Sequence, residues 1–448
     1  MFSSISAQND CSANKCNAAL GWLVSNSKYM GYVNGALTCS NGTAVSSLNY
    51  LLCQCPDLSS LPSCDCHITT SNDGFFFRPS GNYLTVACGK ASATSKGTMN
   101  DNDAFALVGL LSPTTPVEAI GIYYQNLNQI PKDLKQFPFL VAVSLQGNAI
   151  TSADAADLTW PLLREIYLDH NAIASLSGDF ALSHPYQTNG GGHVRFDVRY
   201  NAISDISTAT FTLSADTVFL SFFNNSITSA NGDTFTLSAT QFIYFDFGYN
   251  QIGSVSGKFN LTATNSTNGK VQFYLNFNRL TTLSPATFYL NGPSYAYLAL
   301  SSNALTSVTA ASITLEGSRR IVLSLTKNQL TSVQLAPDTN PPLTTGQELY
   351  LANNNLTLVD CNDLGINSGA LTYFFDASKN QISEAKCGAG TPLDDAQLVV
   401  MDWSSNSFTS LPAGSFNFAG AVAYLGLNDQ KTAFTSISPE ALPSELLT

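Results

Sequence analysis

Apolar and polar positions alternate along most of this chain in a short motif that returns at a fixed interval. Asn148, Asn171, Asn201, Asn225, Asn250, Asn278, Asn303, Asn328, Asn354, Asn380 and Asn406 recur every 23 to 30 residues. Each is followed two positions later by Ile, Leu or Phe, and apolar residues usually sit three and five positions before it. Leu163 to Ile173 reads Leu-Arg-Glu-Ile-Tyr-Leu-Asp-His-Asn-Ala-Ile. Alternation with period two predicts a short strand with one buried face. The asparagine sits where the chain turns out of that strand. Its amide carries two donors and an acceptor, so it can satisfy backbone groups of the turn and of the next coil that burial would otherwise leave unpaired. A unit of this size cannot bury its own apolar face, so the repeats must stack, with their strands forming a parallel sheet over a continuous core.

The motif occurs thirteen times, with Gln125 and Gln430 in the asparagine position of the first and last copies. It resembles the leucine-rich repeat, L-x-x-L-x-L-x-x-N-x-L, over about residues 109–440. The resemblance implies a repeat solenoid: a β-rich horseshoe of about 13 repeats with a parallel concave sheet. It also implies a buried spine on the convex side, for which Phe180, Phe211, Phe235, Phe259, Phe288, Ile313, Leu364 and Phe416 are the candidates, nine or ten residues after their asparagines. Thr-Phe-Thr-Leu-Ser at 210–214 and again at 234–238 predicts an extended rather than helical convex side. Two repeats carry insertions, at 187–193 and 260–269, expected on edges or the back because they lie between strands.

Cysteine placement divides the chain. Cys11, Cys16, Cys39, Cys53, Cys55, Cys64, Cys66 and Cys88 crowd the first ninety residues and read as a disulfide framework whose pairing spacing alone does not define. Zinc is the weaker reading, since Cys-Gln-Cys and Cys-Asp-Cys doublets suit tetrahedral chelation poorly. Residues 1–108 are therefore expected to be a cysteine-rich N-terminal cap module, and 109–448 the solenoid. Cys361 and Cys387 each lie seven residues after a ladder asparagine. Strands about 4.8 Å apart suit the Cα separation a disulfide needs, about 4.4–6.8 Å, so this pair is expected to staple adjacent coils.

Disulfides imply an extracellular setting, and the Asn-x-Ser/Thr tripeptides at Asn41, Asn224, Asn260, Asn265 and Asn355 agree with it. Lys and Arg number 19 against 31 Asp and Glu, a net charge of −12. No basic stripe exists to neutralise phosphates, which argues against nucleic acid and anionic membranes as partners. No apolar run reaches the length of a spanning helix. The first eight residues lack a signal peptide's basic and apolar regions, so such a signal is expected to precede this sequence or to have been removed. The tail Pro439–Thr448 carries no cysteine cap, and a continuation, for example into a membrane anchor, is expected.

The resemblance places ligands on the concave face. Glu165, Tyr167, Asp169, Arg195, Asp197 and Arg199, with His170, are expected there as an exposed mixed-charge cluster. Phe219, Phe223, Tyr244, Tyr274, Phe277 and Tyr297 are expected beside it as an aromatic field, suited to protein contacts or to stacking on sugar rings. Aromatic stacks also simply favour strands, and facing charges can merely pair with each other. Asp376 and Asp402 stack in neighbouring repeats; a cation or an acid–base pair competes there with plain solvation. His67, His170, His184 and His193 have no metal-ligand spacing, His193 is expected at the start of a core strand, and no nucleophile-elbow, zinc-protease or phosphate-loop motif occurs. The chain thus reads as a non-enzymatic, cofactor-free extracellular recognition or adhesion protein for a protein or carbohydrate ligand. The alternative is a structural subunit of a filament, wall or matrix that binds copies of itself.

Overall fold

In the computed structural model the described residues are 118–443 except 138, 159, 185–190, 318, 336–345, 365–371 and 420, together with 31–33, 36–38, 44–45, 64–69, 83–88 and 101. The boundary expected at residue 108, the sequon at Asn41 and most of the cysteine-rich segment lie outside them. The chain divides into two compact units, 1–184 with 193–212, and 185–192 with 213–448.

In the first unit, strands Tyr83–Cys88, Ala119–Ile122, Ala142–Ser144, Glu165–Tyr167 and His193–Asp197 pair successively in parallel. Cys64–Thr69 pairs antiparallel with Tyr83–Cys88, setting Cys64 opposite Cys88 along the backbone. In the second unit, Phe235–Asp246, Lys270–Tyr274, Tyr295–Ala299, Arg320–Ser324, Gly346–Tyr350, Thr372–Asp376, Leu398–Asp402 and Val422–Gly426 form a parallel front sheet. Phe259–Ala263, Phe288–Asn291 and Ile313–Glu316 form a second parallel layer at the back, joined to the first half of Phe235–Asp246. Each unit is a parallel β-solenoid. Between 118 and 443 the helical elements are 3-10 turns of three to five residues. The convex side is extended, as Thr-Phe-Thr-Leu-Ser predicts: both copies lie within or lead into long strands, Ala209–Ser221 and Phe235–Asp246.

Every residue expected in the spine is buried, from Phe180, Phe211, Phe259 and Phe416 at 0 % exposure to Ile313 at 9 %. The 260–269 insertion departs from expectation in part. Its first half is no loop but the strand Phe259–Ala263 of the back layer, because Phe259, Leu261 and Ala263 alternate inward.

The ladder asparagines are buried, apart from the partly exposed Asn171, Asn201 and Asn303; they serve their own turn as expected, but the second coil they reach is the preceding one rather than the next. Asn380 donates from Nδ2 to the carbonyls of Leu351 (3.0 Å) and Ala377 (3.0 Å), and its Oδ1 accepts from the Leu356 amide at 3.1 Å. Leu351 and Leu356 belong to the preceding coil, not the next. The same three bonds recur at Asn171, Asn250, Asn278, Asn303, Asn328, Asn354 and Asn406. The reason lies in the residue before each asparagine. All thirteen, from Tyr124 and Gly147 to Ser405 and Asp429, have φ between 52° and 72°. This left-handed step turns the side chain back towards the coil just completed. Only Gly147 is glycine, so twelve non-glycine residues hold a conformation that costs roughly 1–2 kcal/mol each. The step is held by forward backbone bonds: Tyr249 N donates to Asn276 O (3.0 Å) and Phe277 N to Ser301 O (2.9 Å).

Cys361 and Cys387 occupy equivalent, fully buried positions of adjacent coils. Their sulfurs are bonded, with Cα atoms 5.0 Å apart and a sequence separation of 26. The loop-closure model assigns such a crosslink about 3 kcal/mol. Alkylation of the denatured, unreduced protein should therefore leave both cysteines unlabelled, and Cys361→Ser with Cys387→Ser should lower the unfolding free energy by about 3 kcal/mol. Two labelled thiols would contradict the staple.

Candidate functional site

The residues expected on the concave face divide between the two units. In the first, parallel register sets Arg195 beside Glu165 and Asp197 beside Tyr167. The cluster comes together, but its acids and Tyr167 are not exposed: Glu165 and Asp197 are at 0 %, Asp169 at 4 % and Tyr167 at 7 %, while Arg195 and Arg199 are partly buried and His170 is exposed. Strands about 4.8 Å apart allow long side chains to lie across their neighbours, and burial then requires every charge to be paired. Asp197 accepts from Arg195 Nη2 at 2.7 Å, and from Arg199 Nε and Nη2 at 2.8 Å each. Glu165 accepts from Tyr167 Oη at 3.0 Å and pairs with His193 Nε2 at 2.8 Å. Asp169 accepts from Gln146 Nε2 at 2.6 Å and pairs with His170 Nδ1 at 2.9 Å. The Arg195 guanidinium lies 5.0 Å above the Tyr167 ring, and His170 stacks on Tyr200 at 4.4 Å.

His193 is correspondingly not a core-start residue. It shares the outward face with Arg195 and Asp197, while Val194, Phe196 and Val198 fill the interior. Burial, and secondarily the nearby Asp197 carboxylate, push the Asp169 carboxyl above the usual carboxylate range. Its contribution to stability is therefore complete below the unfolded-state pKa and is lost as pH rises through the raised one. Burial likewise pushes the Tyr167 phenol up. Each acid of this cluster is paired with a neighbouring side chain, and the arrangement reads as a polar bracing of the sheet.

The aromatic residues expected on the concave face in the second unit are half-buried, apart from the exposed Phe277, and they split into two columns. One lies on the sheet. Phe219 stacks on Tyr244 (4.7 Å, 3° between planes), Tyr244 lies 5.3 Å from Tyr274, and Tyr274 lies 5.2 Å edge-on from Tyr297. Tyr295 stacks beside Tyr297 at 6.1 Å, and the Arg320 guanidinium sits 5.4 Å above Tyr295. Arg320 Nε donates to Glu348 Oε1 at 2.8 Å, and Tyr350 Oη donates to Glu348 Oε2 at 2.8 Å. Tyr244 Oη and Gln272 Oε1 are engaged too, with Asp246 and with Tyr274 Oη. The Tyr295 and Tyr297 hydroxyls have no hydrogen-bond partner among the described residues. Burial raises the phenol pKa of both, so they remain neutral donors at physiological pH. Tyr295, Arg320 and Glu348 were missed from sequence. They stand six or eight residues before their ladder asparagines, in the columns that hold Tyr244, Tyr297 and Phe242, and that spacing would have found them.

Phe223 and Phe277 do not belong to this face. With Tyr249 they form a separate ridge along the left-handed turns, with ring separations of 5.1 and 4.2 Å. Asp376 and Asp402 are register partners. Each uses Oδ1 to accept a backbone N–H two residues on, from Ser378 (3.0 Å) and Ser404 (2.9 Å). Asp246 does the same for Gly248 at 2.7 Å, so the role common to this column is turn capping. Among the described residues no group of three or more His, Cys, Asp or Glu is placed to hold a metal ion, and no helix is long and apolar enough to cross a membrane.

No protein-family model matches the chain, and no curated protein sequence matches it. Solved structures of similar shape include the LRIM1 leucine-rich repeat domain, at 17 % identity over 64 % of this chain and 78 % of that one, TM-score 0.39. A leucine-rich repeat protein from Bacteroides eggerthii has 14 % identity over 75 % of this chain and 57 % of its own, TM-score 0.42. A chain of the Drosophila Toll–Spatzle complex has 11 % identity over 84 % of this chain and 60 % of its own, TM-score 0.39. The chain spans less than two thirds of the latter two.

Proposed function

We propose that the protein is a non-enzymatic recognition protein, secreted or displayed at the cell surface, that binds a protein partner through the front sheet of its second unit. The observation that carries this reading is the Tyr244–Tyr274–Tyr297–Tyr295–Arg320 surface, whose half-buried tyrosines are in continuous ring contact, end at the exposed Arg320 and carry two unpartnered hydroxyls. Tyr and Arg dominate the energetics of protein interfaces, Tyr because it offers large area at low entropic cost and Arg because its planar guanidinium pairs and stacks. Stacking also bears on the choice between protein and glycan. Phe219 and Tyr244 spend their ring faces on each other, so the column presents edges and hydroxyls, which suit a protein surface better than a sugar ring.

Capture should be measured against arrays of extracellular protein domains and of glycans, with wild type and Tyr295→Ala plus Tyr297→Ala side by side. The double variant is expected to keep its circular dichroism spectrum and lose at least about 30-fold in affinity for the captured protein, one hot spot's worth. Unchanged capture would move the site elsewhere, and binding on the glycan array alone would replace the protein partner with a carbohydrate.

Self-assembly is the second reading, favoured by the last coil. Tyr424 and Ile437 there are 49 % and 48 % exposed. Light scattering that shows a monomer at high concentration would dismiss it.

A further inference from the structure

The ridge Phe223–Tyr249–Phe277 is an apolar strip with no evident cover. Tyr249 and Phe277 are 45 % and 42 % exposed, although a contiguous exposed aromatic surface ordinarily marks a contact. The ridge positions one coil earlier and later say what kind. Asn224, Tyr249, Phe277 and Ser302 hold the same left-handed conformation in successive coils, with φ of 55° to 56°. Each is joined forward to the next coil by its backbone amide, Asn224 N to Gly248 O at 3.0 Å and Tyr249 N to Asn276 O at 3.0 Å. Their side chains therefore leave the same edge of the solenoid, one coil spacing, about 4.8 Å, apart. Asn224 heads this column, and Asn224-Asn225-Ser226 is an N-glycosylation acceptor. Asn224 is exposed, and its side-chain amide makes no hydrogen bond among the described residues. Asn355, by contrast, is tied to Gln381, and Asn260 lies on the back layer.

We propose that Asn224 carries an N-linked glycan whose first sugars run along the ridge and cover Tyr249 and Phe277. The bond is an N-glycosidic linkage at Asn224 Nδ2, made by transfer from a lipid-linked oligosaccharide in the secretory pathway, with loss of one amide proton and release of the lipid pyrophosphate. A two-sugar core is long enough to pass over two coil spacings of about 4.8 Å, from Asn224 over Tyr249 to Phe277, and the equivalent position of the next coil is the small Ser302. Apolar sugar C–H faces and N-acetyl methyls against these rings remove aromatic surface from water. The glycan then borders the tyrosine face without lying on it.

This inference rests on the secretory reading above, and one experiment separates the two. The protein is secreted from eukaryotic cells, and its glycopeptides are mapped by mass spectrometry. The folded protein is then treated with an amidase that removes N-glycans, and dye binding to exposed apolar surface is followed with anilinonaphthalene sulfonate. We expect Asn224 to be occupied. We also expect fluorescence to rise on glycan removal, to rise equally in Ser226→Ala, which keeps the left-handed asparagine, and not to rise when Tyr249→Ser and Phe277→Ser are added. An unoccupied Asn224 beside occupied Asn260 or Asn265 would overturn this proposal and leave the secretory reading standing. No glycan at any sequon would overturn both. An occupied Asn224 whose removal leaves dye binding unchanged would refute the packing.

Discussion

Replacing Asn380 with alanine should lower the unfolding free energy by about 3–5 kcal/mol, measured by denaturant titration. The side chain is 2 % exposed. Its loss strands the Leu356 N–H, which then pays the desolvation of a buried donor, about 1–3 kcal/mol. It also removes a bond from each of the Leu351 and Ala377 carbonyls and leaves a void. Asn380→Gln should be milder, because the last coil shows how a longer amide can serve. Gln430 donates from Nε2 to Trp403 O at 3.0 Å and to Leu427 O at 3.1 Å, and accepts from Phe408 N at 3.2 Å. An alanine variant as stable as wild type would mean that water replaces the amide and that the ladder is dispensable.

Phe245→Ala is expected to cost about as much, 3–5 kcal/mol, by a different route. Phe245 is fully buried among rings: Phe273 stacked at 4.7 Å, Phe235 at 4.9 Å and Phe247 at 4.9 Å. Truncation opens a cavity whose walls are aromatic rings from three successive coils, so it collapses poorly. Phe245→Leu keeps most of the volume and should cost about 1–1.5 kcal/mol. In a solenoid each coil touches only its neighbours, so both losses should appear as local melting around the altered coil before global unfolding.

The solenoid was legible because its determinants are periodic. The asparagine spacing locates every strand of the front sheet, assigns Cys361 and Cys387 to equivalent positions and places the spine from Phe180 to Phe416. Three things were not legible, each for a physical reason. The asparagines reach backward because of a left-handed residue before them, and that position holds Tyr, His, Asn, Phe, Ser, Lys and Asp as well as one glycine; no residue type signals it. Glu165, Asp169 and Asp197 point away from the core yet are buried, because exposure on a sheet face is set by the reach of neighbouring side chains rather than by alternation. The aromatic field divides into a face and a ridge because Phe223 and Phe277 lie in the turn, one or two residues before the asparagine, where the strand alternation has already ended.

Amide hydrogen exchange on Asn380→Ala tests most directly the claim that each asparagine ties its own coil to the one before it. The Leu356 amide donates to Asn380 Oδ1, whereas the Ile382 amide donates to Asn406 Oδ1 at 3.0 Å. Leu356 should lose protection while Ile382 retains it. Loss at Ile382 with Leu356 unchanged would show that the ladder couples forward and would contradict the account.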